Sequence, residues 1–195
     1  PYRKNAFLAC KTLKRDRAAA RAELEQSLTR LRTDYFDLYQ LHALTKLEDL
    51  EQALAPSGAL ETFLAARQAG MIRFIGFSAH SVEAALAAID RFPFDTVLFP
   101  INWVLYFQAN FGPQVIARAC EKGLGCLAIK AMAKTTWPEG LEKRPYPKCW
   151  YQPADVPEEA ALALRFTLSE PITAAVPPGQ PELFRLAMDL SLIHI

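Results

Sequence analysis

The chain has 195 residues, of which 51% are apolar and 22% charged, and this composition is typical of a globular domain rather than a disordered chain. Its 22 basic and 21 acidic side chains nearly balance, which argues against nucleic acid or an anionic membrane as the main partner. No apolar run approaches the roughly 20 residues of a membrane helix, and no signal-peptide pattern is visible, so we expect one cytoplasmic domain over residues 1–195.

Six short apolar runs predict buried strands. They cover residues 5–11, 35–42, 72–78, 95–102, 124–130 and 172–176. Pro100 must then lie at a bulge or near a strand end, because proline cannot donate a ladder hydrogen bond. Most of the runs finish on a polar side chain, namely Lys11, His42, Ser78, Asn102 and Lys130.

Segments with helical character separate the strands. Asp16 is the predicted N-cap of the first helix, Ser57 and Gly70 are predicted to begin and end another, and Asp155 with Pro157 is predicted to open a late one. The remaining predicted helices cover residues 48–54, 81–90, 113–122 and the stretch after Pro181. Residues 135–153, rich in proline, tryptophan and charge, predict a functional loop over the strand ends.

The four cysteines predict neither a metal site nor a disulfide framework, because no two of them form a CxxC pair. Cys10 and Cys126 fall in apolar runs, and Cys120 falls in a helical segment. We therefore expect reduced thiols in the core.

Strands of continuous hydrophobicity that alternate with helices predict a parallel sheet covered on both faces. Both a doubly wound sheet and a (β/α)8 barrel fit this pattern. No GxGxxG follows a strand, which weakens the doubly wound alternative. Polar residues at the strand ends favour the TIM barrel, whose chemistry lies at the carboxyl ends of its strands.

Several ordered blocks carry a family resemblance: FLACKT, SLTRLRTDYFDLYQLH, GALETFLAARQAGMIRFIGFSAH, FDTVLFPINWV and ITAAVPPG. From Ala6 to about Asp189 the chain resembles the aldo-keto reductases. The resemblance implies an α/β (β/α)8 TIM barrel that reduces aldehydes or ketones with NADP(H), with NAD(H) left open. It further implies that strands three to eight are present, that the first two strands precede Pro1, and that residues 191–195 do not continue the family pattern.

The family uses an aspartate, a tyrosine, a lysine and a histidine for catalysis. The resemblance maps the lysine onto Lys11 and the histidine onto His42, and it places the other two residues before Pro1. In the family the tyrosine protonates the alkoxide, the lysine ammonium favours the phenolate, and the histidine orients the carbonyl. We therefore expect the 195 residues alone to be inactive, and to be unstable or to self-associate through exposed barrel edges.

The nicotinamide carboxamide is held in the family by a Ser-Asn pair, which maps onto Ser78-Ala79-His80. Ser78 keeps the serine, and His80 is the candidate replacement for the missing amide. Two other family positions also depart from the pattern: Leu98 stands for a glutamine and Ile129 for a tyrosine that stacks on the nicotinamide.

Phosphate binding maps onto the second half of the chain. Lys130 and Lys134 follow the strand at which the family binds pyrophosphate. Backbone N–H groups near Gly179, at a helix N-terminus, are a candidate anion site, and Arg185 is the candidate partner of a 2′-phosphate. Aromatic side chains after the strands are candidates to line a pocket for a small carbonyl substrate.

Two other functions fit the residues. A barrel lyase or aldolase would use Lys11 or Lys130 to form a Schiff base with its substrate. A non-enzymatic nucleotide-binding barrel would bind the cofactor without turnover.

Overall fold

The structure is a computed structural model that describes residues 3–192. The chain forms two compact units. The first contains the residues up to Leu98 together with Glu121–Gly125, and the second contains Phe99–Cys120 and the residues from Cys126 onwards. The prediction for residues 191–195 falls largely outside the described residues.

In the first unit, strands and helices alternate after a short 3-10 turn at Arg3–Asn5. The elements are β1 (Ala9–Thr12), α1 (Arg17–Leu31), β2 (Phe36–Leu44), α2 (Leu47–Leu54), α3 (Ala59–Gln68), β3 (Ile72–Ala79), α4 (Val82–Arg91) and the start of β4 (Thr96–Pro100). The strands pair in the order β1-β2-β3-β4, and each pair is parallel.

The helices of the first unit bury an apolar layer against the strands. Leu24 and Leu28 are the buried leucines of α1. Phe63 of α3 packs edge-on against Tyr39 of β2, with ring centroids 5.0 Å apart. The starts of α1 and α3 are tied together, since Arg17 N donates to Ser57 O at 2.8 Å and Ala59 N donates to Arg15 O at 2.7 Å.

The second unit contains shorter strands and a long irregular segment. Its elements are α5 (Trp103–Ala109), α6 (Pro113–Lys122, whose last residues belong to the first unit), β5 (Gly125–Ile129), β6 (Ala133–Thr135), β7 (Gln152–Pro153), α7 (Pro157–Ser169), β8 (Ala174–Val176) and α8 (Pro181–Leu192). β5 pairs in parallel with β8, and Ile101 N, just after β4, donates to Ile129 O at 3.1 Å. β6 and β7 form a small antiparallel pair that closes the irregular segment.

The core of the second unit lies between α7, α8 and that segment. Met132, Leu164 and Leu183 are buried there. Trp137 packs against this cluster, and its indole Nε1 donates to Cys149 O at 2.9 Å. The long segment is thus held by its own aromatic side chain.

The structure confirms the six predicted strands, the Asp16 cap, the left-handed Gly70 (φ 75°) and Pro100 as the last residue of β4. Parallel strands alternating with helices give an α/β fold. The single-domain prediction stays a prediction, and so does the number of strands in the complete barrel.

Several local predictions are wrong. Gly58, not Ser57, is the N-cap of α3. Ser57 precedes it in a left-handed conformation with φ 63°, and its N donates to Glu61 Oε1 at 3.0 Å. The predicted late helix is present as α7 and begins at Pro157, as expected. Its N-cap is Val156, and Asp155 just before it accepts a hydrogen bond from Tyr146 Oη at 3.0 Å.

Two strand-end predictions and one thiol prediction also need correction. β2 runs beyond His42 to Leu44, and the 95–102 run ends as a strand at Pro100 because Asn102 caps α5, a helix that was not predicted. Cys120 is exposed rather than part of the core.

Between residues 3 and 192, none of the helices is both long and apolar enough to cross a membrane.

Candidate active site

The candidate catalytic residues lie on adjacent parallel strands. Lys11 of β1 is in register with Gln40 of β2. Residues in register on neighbouring strands share a face, so Lys11 and Gln40 project from the same face of the sheet. His42 follows two residues after Gln40, where β2 becomes irregular, and Lys11 is close enough to lower the pKa of His42. The structure thus brings Lys11 and His42 together at the carboxyl ends of β1 and β2.

A row of polar and small residues extends from Lys11 across the strands. Gln40 is in register with Gly76, and Gly76 is in register with Thr96. A Cβ at position 76 would lie 2.1 Å from Thr96 Oγ1, so only glycine fits beside that hydroxyl. Gln40 Nε2 and Thr96 Oγ1 are both buried and have no hydrogen-bond partner. The polar Gln40 within the run YFDLYQLH was the signal in the sequence that could have identified this row.

His42 precedes an irregularity in β2. The pairing of β2 with β3 shifts register between Leu41 and Leu44, and Ala43 adopts a left-handed conformation with φ 56°. Ala43 N donates to Ser78 Oγ at 2.8 Å, and His80 N donates to Leu44 O at 3.1 Å. We call Leu41–Leu44 the His42 bulge. Ser78 is buried, and its oxygen is already an acceptor for the bulge while its hydroxyl proton stays available to another acceptor.

Arg15 approaches the His42 bulge from the segment after β1. Its residue exposure is 8%, which is unusual for an arginine. Nη2 donates to His42 O at 2.6 Å and to Ala43 O at 3.4 Å, and Nη1 lies 3.5 Å from Thr12 O. The sequence carries no signal for this role, because an arginine in the polar run TLKRD is ordinarily solvated.

Burial and nearby positive charge disfavour protonation of His42. Burial contributes most to lowering the pKa of His42, and Lys11, His80 and Arg15 lower it further, while Glu23 opposes them. Burial also lowers the pKa of Lys11, against the opposing effect of Cys10. The imidazole is therefore neutral at neutral pH, and one of its ring nitrogens is a hydrogen-bond donor.

In the second unit, Lys130 follows β5 in a left-handed conformation with φ 64°, and burial lowers its pKa. Lys130 and Asn102 line a cavity of about 320 Å³, which Tyr151, Thr135 and Lys134 also line. Asn102 Oδ1 accepts from Leu105 N at 3.0 Å, whereas its buried Nδ2 has no partner. The cavity thus contains a cation and amide and hydroxyl donors.

The other predicted phosphate-binding residues differ in their surroundings. Lys134 Nζ donates to both carboxylate oxygens of Glu159, at 2.9 and 2.7 Å. Gly179 is exposed just before α8, and a side chain there would meet nothing within 4 Å. Arg185 is exposed on α8, and neither residue lines the cavity beside Lys130.

Within the described part of the chain, no group of three or more His, Cys, Asp or Glu side chains is placed to hold a metal ion.

Comparison with known proteins identifies one family. The model of the aldo/keto reductase family matches residues 1–176. The aldo-keto reductase YhdN of Bacillus subtilis (strain 168) is 37% identical over 119 residues, which are 61% of this chain and 33% of the relative. The uncharacterized oxidoreductase YqkF of the same organism is 39% identical over 62 residues, 32% of this chain and 18% of the relative. The matches thus span a third or less of these curated relatives.

Solved structures show the same fold. A structure titled as an aldo-keto reductase from Pseudomonas aeruginosa has a TM-score of 0.71 and 21% identity, covering 97% of this chain and 64% of its own. The holo form of an aldo-keto reductase from Bacillus halodurans has a TM-score of 0.64 and 19% identity, covering 96% of this chain and 74% of its own. At these identities the likeness shows the fold.

Proposed function

The chain belongs to the aldo/keto reductase family, and on that premise we propose that it carries part of the active site of an NADP(H)-dependent oxidoreductase reducing an aldehyde or ketone. The observation that carries the proposal is the position of Lys11 on β1 and of His42 on the neighbouring β2, close to the carbonyls of Thr12 and His42 that Arg15 joins. On this proposal β1, β2, β3, β4, β5 and β8 correspond to strands three to eight of a (β/α)8 barrel.

The chemistry requires a hydrogen-bond donor and positive charge at the carbonyl oxygen. When bound, the nicotinamide supplies the hydride. The neutral imidazole of His42 donates a hydrogen bond that orients the carbonyl, and the ammonium of Lys11 stabilises the negative charge that develops on oxygen. Lys11 also favours the ionised form of the family's tyrosine donor, to which no residue between 3 and 192 is assigned.

Cofactor binding is proposed for each unit separately: Ser78 and His80 of the first unit are proposed to hold the nicotinamide carboxamide, and residues of the second unit are proposed to hold phosphate. Lys130 suits an anionic group, because its ammonium is a cation beside a cavity that Thr135 and Tyr151 also line. The open backbone at Gly179 suits a phosphate at the start of α8, and Arg185 suits a 2′-phosphate. Lys134 suits this role less well, since its ammonium is paired with Glu159.

The test is the carbonyl-dependent oxidation of NADPH and NADH by the full-length protein, with a panel of aldehydes and ketones. We expect turnover with NADPH that Lys11→Met and His42→Gln each reduce by about 10²-fold or more. Turnover unchanged in both variants would refute the assignment. The 195 residues alone are expected to bind NADPH without turnover and to self-associate, because β1 pairs only with β2 among the described residues.

One observation favours a second function. Burial lowers the pKa of both Lys11 and Lys130, and a neutral amine is the form that attacks a carbonyl to give a Schiff base. Borohydride trapping of a carbonyl ligand on either lysine, with no oxidation of NADPH, would support a lyase or aldolase instead.

A further inference from the structure

We propose that Arg15 is a positioning residue that fixes the His42 bulge relative to the end of β1. Its effect on turnover rests on the proposed function, whereas its effect on the bulge does not. Arg15 lies outside the residues that the resemblance assigns to the site. It is also distinct from them in chemistry, because it bonds to backbone carbonyls rather than to a ligand.

The guanidinium joins two strands that each carry a candidate catalytic side chain. On the β2 side it donates to His42 O at 2.6 Å and to Ala43 O at 3.4 Å. On the β1 side its other terminal nitrogen lies 3.5 Å from Thr12 O, and Thr12 directly follows Lys11. A rigid planar fork that holds both strand ends constrains the separation of Lys11 and His42.

The bulge needs such support because its conformation is unfavourable for its sequence. Ala43 has φ 56°, a region that L-residues other than glycine seldom occupy. The peptide before Ala43 is held by Arg15 at the carbonyl of His42 and by Ser78 at the amide of Ala43. These contacts fix the plane of the His42–Ala43 peptide and thus the direction in which the imidazole projects.

The segment that presents Arg15 is itself held in place. Lys14 N donates to Thr12 Oγ1 at 3.0 Å, and the Thr12 hydroxyl donates to the Glu23 carboxylate of α1. The negative charge of Asp49, at the start of α2, raises the pKa of Arg15, although burial lowers that pKa more strongly. The Asp49 carboxylate accepts from Thr45 N at 3.2 Å and from Lys46 N at 3.3 Å, so the counter-charge is fixed as well.

A buried arginine could instead serve stability alone, and the experiment separates the two roles. Arg15→Lys keeps the positive charge but loses the planar fork. We expect the Ala43 amide to exchange with solvent at least about tenfold faster in this variant, because a charge-assisted hydrogen bond to the peptide is lost. The Tyr39 amide, in the same strand but away from the bulge, is expected to exchange at the wild-type rate.

Arg17→Lys is the matched control. Arg17 lies two residues further along, its side chain is 61% exposed, and it pairs with Glu61 at 3.1 Å. We expect no change in Ala43 exchange in this variant. Wild-type exchange at Ala43 in Arg15→Lys would overturn the proposal, and so would equal acceleration at Ala43 and Tyr39, which would indicate general destabilisation.

Turnover and the titration of His42 give two further measurements. In Arg15→Lys we expect kcat to fall by about 10–100-fold with a smaller change in KM, because a displaced imidazole binds the carbonyl but orients it poorly. Arg15→Met additionally removes a positive charge, so the pKa of His42, followed by NMR, is expected to rise. Exchange and titration need no turnover, so a failure of the proposed reductase activity leaves this test intact.

Discussion

The strand ends of the two units are built differently. In the first unit, side chains hold the backbone at the end of β2: Arg15 binds the carbonyls of the His42 bulge and Ser78 binds its amide. In the second unit, Lys130 follows β5 and lines a cavity of about 320 Å³ together with Asn102. The first arrangement fixes backbone geometry, whereas the second leaves open space beside a lysine; on the proposed function these features serve the reaction and the cofactor, respectively.

The largest expected difference between the two units concerns Lys11 near the end of β1 and Lys130 after β5. Lys11→Met is expected to reduce kcat of the full-length protein by about 10²–10⁴-fold, because charge stabilisation in the transition state is lost. Lys130→Met is expected to raise KM for NADPH by about tenfold with little change in kcat, because it removes a phosphate contact. Steady-state kinetics of both variants would measure this, and a similar pattern in both would contradict the division of roles.

A second comparison tests whether the stability of the first unit depends on the buried carboxylate of Asp37. The Asp37 side chain is 4% exposed and binds Arg3 at 2.9 Å and Arg73 at 2.8 Å. Asp37→Asn is expected to lower the free energy of unfolding by about 3 kcal/mol, because two guanidinium groups lose their partner. Urea unfolding would measure the loss, with exposed Asp34→Asn as the control that stays within about 0.5 kcal/mol.

The pH dependence of the Asp37 effect has a defined sign. Burial favours the neutral acid, but hydrogen bonds from Leu8 N, Arg73 and Arg3 outweigh it and lower the pKa of Asp37 below 3.8. The stabilisation is therefore complete above that ordinary value and is lost as pH falls through the folded-state pKa. The difference between wild type and Asp37→Asn should shrink in acid, and a constant difference would contradict this assignment.

His42 should contribute a smaller pH dependence. Its pKa lies below the ordinary 6.5, so below that pH the unfolded chain binds the proton better and stability falls until the folded-state pKa is passed. The charged groups around it are Lys11 of β1, Arg15, Glu23 of α1 and His80 after β3. His42→Gln should remove this loss, whereas His80→Gln should keep most of it, and thermal unfolding over mildly acidic pH would show the difference.

The smallest expected effect is in the second unit. Lys134 and Glu159 are 44% and 45% exposed, so their ion pair is screened by solvent. Lys134→Met is expected to change the free energy of unfolding by at most about 0.5 kcal/mol, and even less at high salt. If urea unfolding showed that Lys134→Met loses as much free energy of unfolding as Asp37→Asn, the exposed ion pair of the second unit would matter as much as the buried carboxylate of the first, contrary to this expectation.

The sequence predicted the strands well because each is a continuous apolar run bounded by polar residues. It missed α5, since WVLYFQA is short and has no polar face, and its first turn depends on the Asn102 cap. The left-handed Ala43 could not be foreseen, because alanine normally avoids that conformation. Arg15 was missed for a related reason: its partners are carbonyls that lie 27 and 28 residues away in sequence.

The residues of the candidate site also fall into those that the sequence indicated and those that it did not. Lys11 and His42 became candidates because the family resemblance maps single residues onto strand ends, and these residues lie on two strands that pair in parallel. Gln40 and Thr96 were not among the candidates, since the sequence does not show which buried polar atoms lack a hydrogen-bond partner. Sequence patterns identify residue types at strand ends, whereas hydrogen-bond satisfaction is a property of the folded chain.

The His42 bulge has a consequence for protein engineering. Ala43 does not select the left-handed conformation by itself, since that conformation costs an L-residue roughly 1–2 kcal/mol. Its geometry is specified by Arg15 and Ser78, residues outside the Tyr35–His42 motif. Grafting that motif into another barrel would therefore transfer the imidazole without the contacts that orient it. A graft designed from this chain should include the Arg15 and Ser78 positions or replace Ala43 with glycine, which adopts the conformation without penalty.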